Sequence, residues 1–406
     1  MIDMRVIIRP SRAEGTVTAP PSKSMAHRLL ICAGLSRGES VVRNLAYSKD
    51  IEATIACLRA LGAEIRLDGD TAAITGTDPR SSGMHTTLNC NESGSTLRFF
   101  IPLAMLGGGD MTFCGSEYLF TRPLSVYEQI AAEQGIVYEK SAGSLFVKGK
   151  LHSGAYEVPG NISSQFISGL LFALPLLDGD SEIRLIPPVE SCSYIDMTVA
   201  ALRTFGVDIA VSGNTYRIRG GQCYRPHDVT VEGDCSNAAF FESLNLAGSS
   251  VTVEGLSDDT LQGDRIYQFL FTKIRQRQGV VDISDCPDLG PVLFAAAGLC
   301  GGGEFTGTKR LKYKESDRAE AMREELAKFG VTVTVGENEV RVSGELHAPT
   351  EILSGHGDHR IVMSLAVLAT AVGGVIEGAE AVSKSFPDFF DKLKESGVDL
   401  EYGMDQ

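Results

Sequence analysis

The stretch Pro20 to Gly38, PPSKSMAHRLLICAGLSRG, has a polar and charged start, an apolar run too long for one strand, and a closing Gly. This pattern predicts a buried helix with function at its N-terminus. The same design recurs in Glu92 to Gly107, Asn161 to Gly179, Asp234 to Gly248, Asp285 to Gly301 and Asp358 to Gly373. Six such helices follow at a spacing of roughly seventy residues, somewhat less at one step. A second kind of helix alternates with them, its apolar residues at helical spacing: Ile51, Ile55 and Leu58; Ile195, Val199, Leu202 and Phe205; Met322, Leu326 and Phe329. Gly62, Gly135, Gly206, Gly330 and Gly397 close these helices, and a hairpin usually follows, as in AEIRLDGDTAAITG. The repeat is therefore strand, buried helix, strand, amphipathic helix, strand, strand.

Two repeats depart from this order. Between Gly279 and the next buried helix only Val280 to Ser284 remains, so the fourth repeat is expected to have lost one hairpin strand. The sixth ends at Val398 to Tyr402 without its last strand, while Met4 to Arg9 stands as an orphan strand before the first; the simplest closure pairs the two. The expected fold class is α/β with two domains, since 406 residues exceed one ordinary core. Residues 16–227 would carry repeats one to three. They would be inserted in a discontinuous domain of residues 1–15 and 228–406 carrying repeats four to six, with a linker near Gly220 to Pro226 and a cleft between the domains.

Composition narrows the function. Hydrophobic residues make up 43% and charged residues 22%, as in a globular protein, and Arg98, Arg360 or Gly clusters interrupt every long apolar run. The start MIDMRVIIRP lacks the apolar core of a signal peptide. Nine Cys occur without a C-x-x-C pair, which fits reduced thiols in a cytoplasm better than a zinc site or a disulfide framework. The net charge of −15 disfavours nucleic-acid or anionic-membrane partners, so an anionic ligand must be held by a local basic cluster.

Such clusters lie where the buried helices begin: Ser22, Lys23, Ser24 and Arg28; Glu92 to Ser95 with Arg98; Ser163, Ser164 and Gln165; Asp234, Ser236 and Asn237; Asp285 and Asp288; Asp358, His359 and Arg360. Helix N-termini offer free N–H groups and a positive dipole. Capping explains the Ser, Asp and Asn residues but not the Lys and Arg beside them. Thr121 to Pro123, the SCSYID segment of Ser191 to Asp196, the charged run Arg310 to Arg318, where Ser316 could cap a helix, and Lys384 with Phe386 and Pro387 also lead into helices. GLSRG from Gly34 matches the G-x-S-x-G elbow but ends a helix instead of starting one, and His356 and His359 lack a third metal ligand. No P-loop or dinucleotide signature is present.

PSKSMAHR, ESGSTLR, TRPL, ISSQF, SYID, VEGDCSNAAFF, PDLGP, KESDR, DHR and KSFPDFF, in that order over the whole chain, resemble the 5-enolpyruvylshikimate-3-phosphate synthase family. The resemblance implies a two-domain inside-out α/β barrel of the enolpyruvyl transferase type. It also implies transfer of an enolpyruvyl group from phosphoenolpyruvate to the 5-hydroxyl of shikimate 3-phosphate, with release of phosphate. These two small molecules would be its partners, and the protein would be a cytoplasmic monomer with no cofactor, metal, nucleic acid or membrane.

Carried over by motif, Lys23, Ser24, Arg28, Ser163, Ser164, Gln165, Ser191, Tyr194, Asp288 and Lys314 would hold shikimate 3-phosphate. Lys23, Gly94, Arg122, Gln165, Arg318, Arg360 and Lys384 would hold phosphoenolpyruvate, Arg being suited to bidentate pairing with phosphate and carboxylate. Asp288, Glu315 and Lys23 would be catalytic, with Glu315 giving the proton to the methylene carbon and Asp288 partnering the attacking hydroxyl. Glu92 and Ser93 stand where many relatives have Asn-Ala, and Arg310 and Lys312 where Asn and Arg are common. The alternatives are a UDP-N-acetylglucosamine enolpyruvyl transferase, which has Lys-Asn where this chain has Lys23-Ser24, and a phosphometabolite-binding protein without turnover.

Overall fold

The computed structural model describes residues 4–81 and 85–403. The chain divides into two compact units, Pro21–Glu232 and Met1–Pro20 with Gly233–Gln406. Each has its own core of buried apolar side chains.

Within Pro21–Glu232 the three repeats build sheets of one pattern. In the third, Ala155–Pro159 pairs parallel with Ser181–Ile186, then Thr215–Ile218 and Ile209–Ser212 follow antiparallel. In the second the order is His85–Asn89, Asp110–Cys114, Ser144–Lys148, Val137–Ser141. In the first it is Val229–Thr230, Glu39–Arg43, Thr71–Thr75, Glu64–Asp68. The opening strand of the first sheet thus comes from the far end of the inserted segment. The strand that precedes the first helix in sequence, Glu14–Thr18, pairs instead with Ser250–Glu254 in the other unit.

This exchange moves the expected boundaries. A strand belongs with the sheet that satisfies its N–H and C=O groups, so residues 16–20 leave the inserted segment and 228–232 join it. The divisions fall after Pro20 and after Glu232 rather than after residues 15 and 227.

In the other unit, Arg5–Ile8 fills the place of the missing last strand of the sixth repeat. It runs antiparallel between Gly374–Glu377 and Leu400–Gly403, with Leu353–Ser354 on the far side. The fifth repeat sets Val281–Asp282, Gly302–Thr306, Glu339–Ser343 and Thr332–Val335 in the common order. The fourth repeat differs from the expected one. Val281–Asp282 is not a surviving hairpin strand of the fourth repeat but the first strand of the fifth, and the fourth has no hairpin, leaving only Glu14–Thr18 and Ser250–Glu254 in its sheet. The Asn245 carboxamide covers the open edge: it donates to the Val251 carbonyl and accepts from the Val251 amide, both at 2.8 Å. One side chain thus satisfies two groups that a further strand would otherwise pair.

The buried helices are Lys23–Gly34, Gly94–Ala104 and Ser164–Ala173 in one unit, and Cys235–Ser243, Gly290–Leu299 and His359–Val372 in the other. They are apolar on all sides, as a fully buried helix must be; His359–Val372 is buried from His359 through Thr370. Small residues let them approach closely. A Cβ at Gly169 would lie 2.5 Å from the Arg98 carbonyl oxygen, so the Ser164–Ala173 helix sits directly on Gly94–Ala104. Burial of these helices fixes their polar N-termini, because the apolar bodies leave no freedom to rotate or slide.

Candidate active site

In Pro21–Glu232, Ser22 caps the first buried helix by accepting from the Met25 amide, and Lys23 and Ser24 occupy its first turn. Lys23 Nζ lies 2.8 Å from Asp50 Oδ2, near the start of the Lys49–Ala60 helix. Arg28 is buried one turn further on. Its Nε donates to Thr198 Oγ1 at 2.8 Å and its terminal nitrogens to the carbonyls of Ser24 at 2.5 Å and Tyr194 at 2.9 Å. Burial pulls its pKa down to about 10, so it stays charged at neutral pH. The same bonds draw Ser24 and Tyr194 together. Ser191 starts the Cys192–Thr204 helix from left-handed backbone with φ 57°, a strained conformation for a Ser of the kind that gathers at functional positions.

The second and third buried helices meet through Arg98. It is buried, donates to the Pro123 carbonyl at 3.0 and 3.3 Å, and reaches Gln165 Oε1 at 2.6 Å; Gln165 Nε2 in turn donates to Ser95 Oγ at 2.8 Å. Ser163 caps the helix that carries Ser164 and Gln165. By holding Pro123, Arg98 fixes the turn that presents Arg122. The Arg122 guanidinium lies where Gly94 has no side chain: a Cβ there would come within 2.5 to 2.9 Å of its carbon and nitrogens. Behind Lys23, His27 is buried, and burial, with Lys23 and Arg28 close by, holds its pKa well below the usual imidazole value.

In the other unit the three helix N-termini also converge. One Arg360 terminal nitrogen lies 3.0 Å from Ser236 Oγ and 3.2 Å from Asp288 Oδ2, joining Cys235–Ser243, the turn Pro287–Leu289 and His359–Val372. Arg318 is only 1% exposed and meets three carboxylates: Asp288 at 2.9 Å, Glu315 at 2.6 Å and Asp358 at 2.8 Å. Lys314 Nζ adds a 3.0 Å contact to Asp288, and Lys384 Nζ donates to the Gly357 carbonyl at 2.6 Å. Burial favours the neutral form of Asp288, yet Arg360, Lys314 and Arg318 outweigh it and hold the carboxyl well below the ordinary carboxylate range. Burial lowers the pKa of Lys314, with Asp288 opposing the shift.

The residues predicted from sequence therefore form two groups. Lys23, Ser24, Arg28, Gly94, Arg122, Ser163, Ser164, Gln165, Ser191 and Tyr194 belong to one unit. Asp288, Lys314, Glu315, Arg318, Arg360 and Lys384 belong to the other. Ser316 does not cap its helix. Asp317 does, accepting from the Glu320 amide, while Ser316 Oγ donates to Asp358. Sequence reasoning gave no role to Asp50 or Glu325, and placed Arg98 in the cluster at a helix start without naming its partners. Glu325 is buried and holds the loop before Arg360 through His356 Nε2 at 2.8 Å and the Ser354 amide at 2.9 Å, so His356 has a structural carboxylate partner. An acid on the buried face of an amphipathic helix was the available signal for both Asp50 and Glu325. Among the described residues, no group of His, Cys, Asp and Glu is arranged to hold a metal, and no helix is long and apolar enough to cross a membrane.

Residues 7–393 match the family described as EPSP synthase (3-phosphoshikimate 1-carboxyvinyltransferase). The 3-phosphoshikimate 1-carboxyvinyltransferase of Clostridium kluyveri is 41% identical over 423 aligned residues covering 98% of each chain. That of Clostridium beijerinckii is also 41% identical, over 96% of this chain and 97% of its own. Among solved structures, an EPSP synthase from Acinetobacter baumannii has a TM-score of 0.78 at 23% identity, covering 98% of this chain and all of its own. The enolpyruvyl transferase NikO from Streptomyces tendae reaches 0.77 at 15% identity over both full chains. At these identities the two structures speak for the fold alone.

The ion pairs of Asp288 set a pH dependence. A carboxyl whose native pKa is depressed stabilises the fold fully above its unfolded value of about 3.9, and that contribution is lost as pH falls below it toward the native value. Asp288→Asn should therefore lower stability at pH 7 by about 3 kcal/mol, the usual result of breaking a buried pair. The gap from the parent protein should shrink below about pH 4. Urea unfolding at several pH values measures this, and a gap independent of pH contradicts it.

Proposed function

The chain belongs to the EPSP synthase family, and we propose that its two polar groups are the two halves of one active site. It transfers the enolpyruvyl group of phosphoenolpyruvate to the 5-hydroxyl of shikimate 3-phosphate, giving 5-enolpyruvylshikimate 3-phosphate and phosphate, a step of aromatic amino acid biosynthesis through the shikimate pathway. The supporting observation is that three buried helix starts meet at Arg360 in one unit, while in the other Arg98 joins those of Gly94–Ala104 and Ser164–Ala173, all at the positions of the family motifs. The six sheets and their central helices we assign to the inside-out α/β barrel pair, acting as a cytoplasmic monomer.

In this reading Lys23, Ser24, Arg28, Ser163, Ser164, Gln165, Ser191, Tyr194, Asp288 and Lys314 hold shikimate 3-phosphate. Gly94, Arg122, Gln165, Arg318, Arg360 and Lys384 hold phosphoenolpyruvate, and Lys23 lies between the two anions. The reaction adds the hydroxyl oxygen to the phosphate-bearing carbon and a proton to the methylene carbon, then expels phosphate as the methylene carbon gives a proton back. Asp288 is kept ionised by its cationic neighbours. It accepts a hydrogen bond from the attacking hydroxyl and aligns it; too weak a base to remove the proton in advance, it takes that proton only as the C–O bond forms, and the overall reaction carries it away on the released phosphate. Glu315 lies 2.6 Å from Arg318 and is the group we assign to proton exchange with the methylene carbon. Lys23, Arg122, Arg318 and Arg360 stabilise the charge gathered on the adduct and the departing phosphate.

Two outcomes are expected. The purified protein should release inorganic phosphate from phosphoenolpyruvate only when shikimate 3-phosphate is present. Release with UDP-N-acetylglucosamine instead would reassign the acceptor, and release with neither would leave a binding protein. Second, Gly94→Ala puts a methyl against the end of the Arg122 side chain and not against backbone. The fold should keep its unfolding midpoint while the KM for phosphoenolpyruvate rises about tenfold or more, ~1.4 kcal/mol. An unchanged KM would show that Arg122 does not serve this substrate.

A further inference from the structure

We propose that His27 is a positioning residue for the Gly94–Arg122 contact, acting through a directed chain of buried hydroxyls that ends on Ser93. The inference rests on the assignment of Gly94 and Arg122 to phosphoenolpyruvate.

The chain is continuous. His27 Nδ1 lies 2.8 Å from Thr54 Oγ1, Thr54 Oγ1 lies 2.8 Å from Thr96 Oγ1, and Thr96 Oγ1 lies 2.8 Å from Ser93 Oγ. None of the four residues is more than 1% exposed. They come from three helices, Lys23–Gly34, Lys49–Ala60 and Gly94–Ala104, together with the residue that caps the last. Among the described residues His27 Nε2 is buried and has no hydrogen-bond partner.

That last fact sets the direction of every proton. The imidazole is neutral, held so by burial beside Lys23 and Arg28, so one ring nitrogen carries a hydrogen and the other a lone pair. A hydrogen on Nε2 would be a buried donor with no acceptor, which is rare and unfavourable, whereas a buried lone pair is better tolerated. Here the lone pair also lies in the field of two cations. The hydrogen is therefore on Nδ1 and is donated to Thr54. Thr54 then donates to Thr96, because the single Thr96 proton is given to Ser93. Thr96 donates to Ser93 at 2.8 Å in preference to the Asp50 carbonyl at 3.4 Å, which is long for a hydroxyl donor.

Ser93 Oγ thus receives two hydrogen bonds, from the Thr96 hydroxyl and from the Thr96 amide at 3.2 Å. It is the residue immediately before Gly94, where the Arg122 guanidinium lies closer than a Cβ would allow. A shift of a few tenths of an ångström in the cap would move Gly94 against Arg122. His27 touches neither substrate in this account. It determines where the helix start stands.

Thr54→Val removes the middle hydroxyl and keeps the shape. It should raise the KM for phosphoenolpyruvate about tenfold while leaving that for shikimate 3-phosphate within about twofold, and Thr54→Ser should restore both. Both KM values unchanged, or both raised together, would overturn the proposal. A readout independent of turnover is the ring nitrogen NMR spectrum of histidine-labelled protein, with the His27 signals identified by their loss in His27→Gln. The expected pattern is a neutral ring protonated on Nδ1, whose resonance moves in Thr96→Val two hydroxyls away. An Nε2-protonated ring, or no response to Thr96→Val, would also overturn it. If the wild-type protein fails to turn over, the functional assignment falls, while the spectra still decide whether the chain exists and which way it points.

Discussion

The constraint on which the rest of the structure depends is that a cation taken out of water must be met by fixed acceptors. Transferring an ion into a protein interior without them costs several kcal/mol even after relaxation. Arg318, one of the largest fully buried side chains among the described residues, meets this with Asp288, Glu315 and Asp358. Because the acceptors come from different elements, holding the charge also holds those elements in place. The turn at Pro287–Leu289, the loop before Arg318 and Asp358, the cap of His359–Val372, are tied by one guanidinium.

The two units solve the problem differently. In Pro21–Glu232, Arg28 and Arg98 are met mostly by neutral oxygens: the carbonyls of Ser24, Tyr194 and Pro123, the Thr198 hydroxyl and the Gln165 amide. Dipoles satisfy hydrogen bonds without cancelling charge, so these contacts leave both guanidiniums positive in a chain whose formal net charge is −15. In the other unit Lys314, Arg318 and Arg360 face Asp288, Glu315 and Asp358, and charge nearly balances. In the proposed function, the first arrangement serves to attract an anion and the second to accommodate one by exchange, because a phosphate or carboxylate can replace a protein carboxylate on the same guanidinium.

Much of this was legible in the sequence, for physical reasons that also explain the failures. An all-round apolar helix such as His359–Val372 can only be buried, so its period and its polar start locate one end of the site. The missing strand of the sixth repeat and the surplus strand at the N-terminus were complementary, and they do pair. The exchange of Glu14–Thr18 and Val229–Thr230 was not legible, because a strand of five residues and one of two carry no mark of which distant sheet will claim them. The same ambiguity hid the fact that Val281–Asp282 opens the fifth repeat, and nothing local to Asn245 announced that it would cover a sheet edge. At the site, the charged residues of the motifs were visible, whereas their partners were not. Asp50 and Glu325 sit in ordinary helical sequence, and only the folded chain shows which cation each one meets.

The central claim is that residues of both units act on one reacting pair of molecules. A double-mutant cycle between Arg122 and Arg318, each changed to Lys, tests it most directly through kcat/KM for phosphoenolpyruvate. Residues that act as one catalytic unit are strongly non-additive, so the double variant should lose far less than the product of the two single losses. Losses that multiply, as for independent sites, would contradict the account.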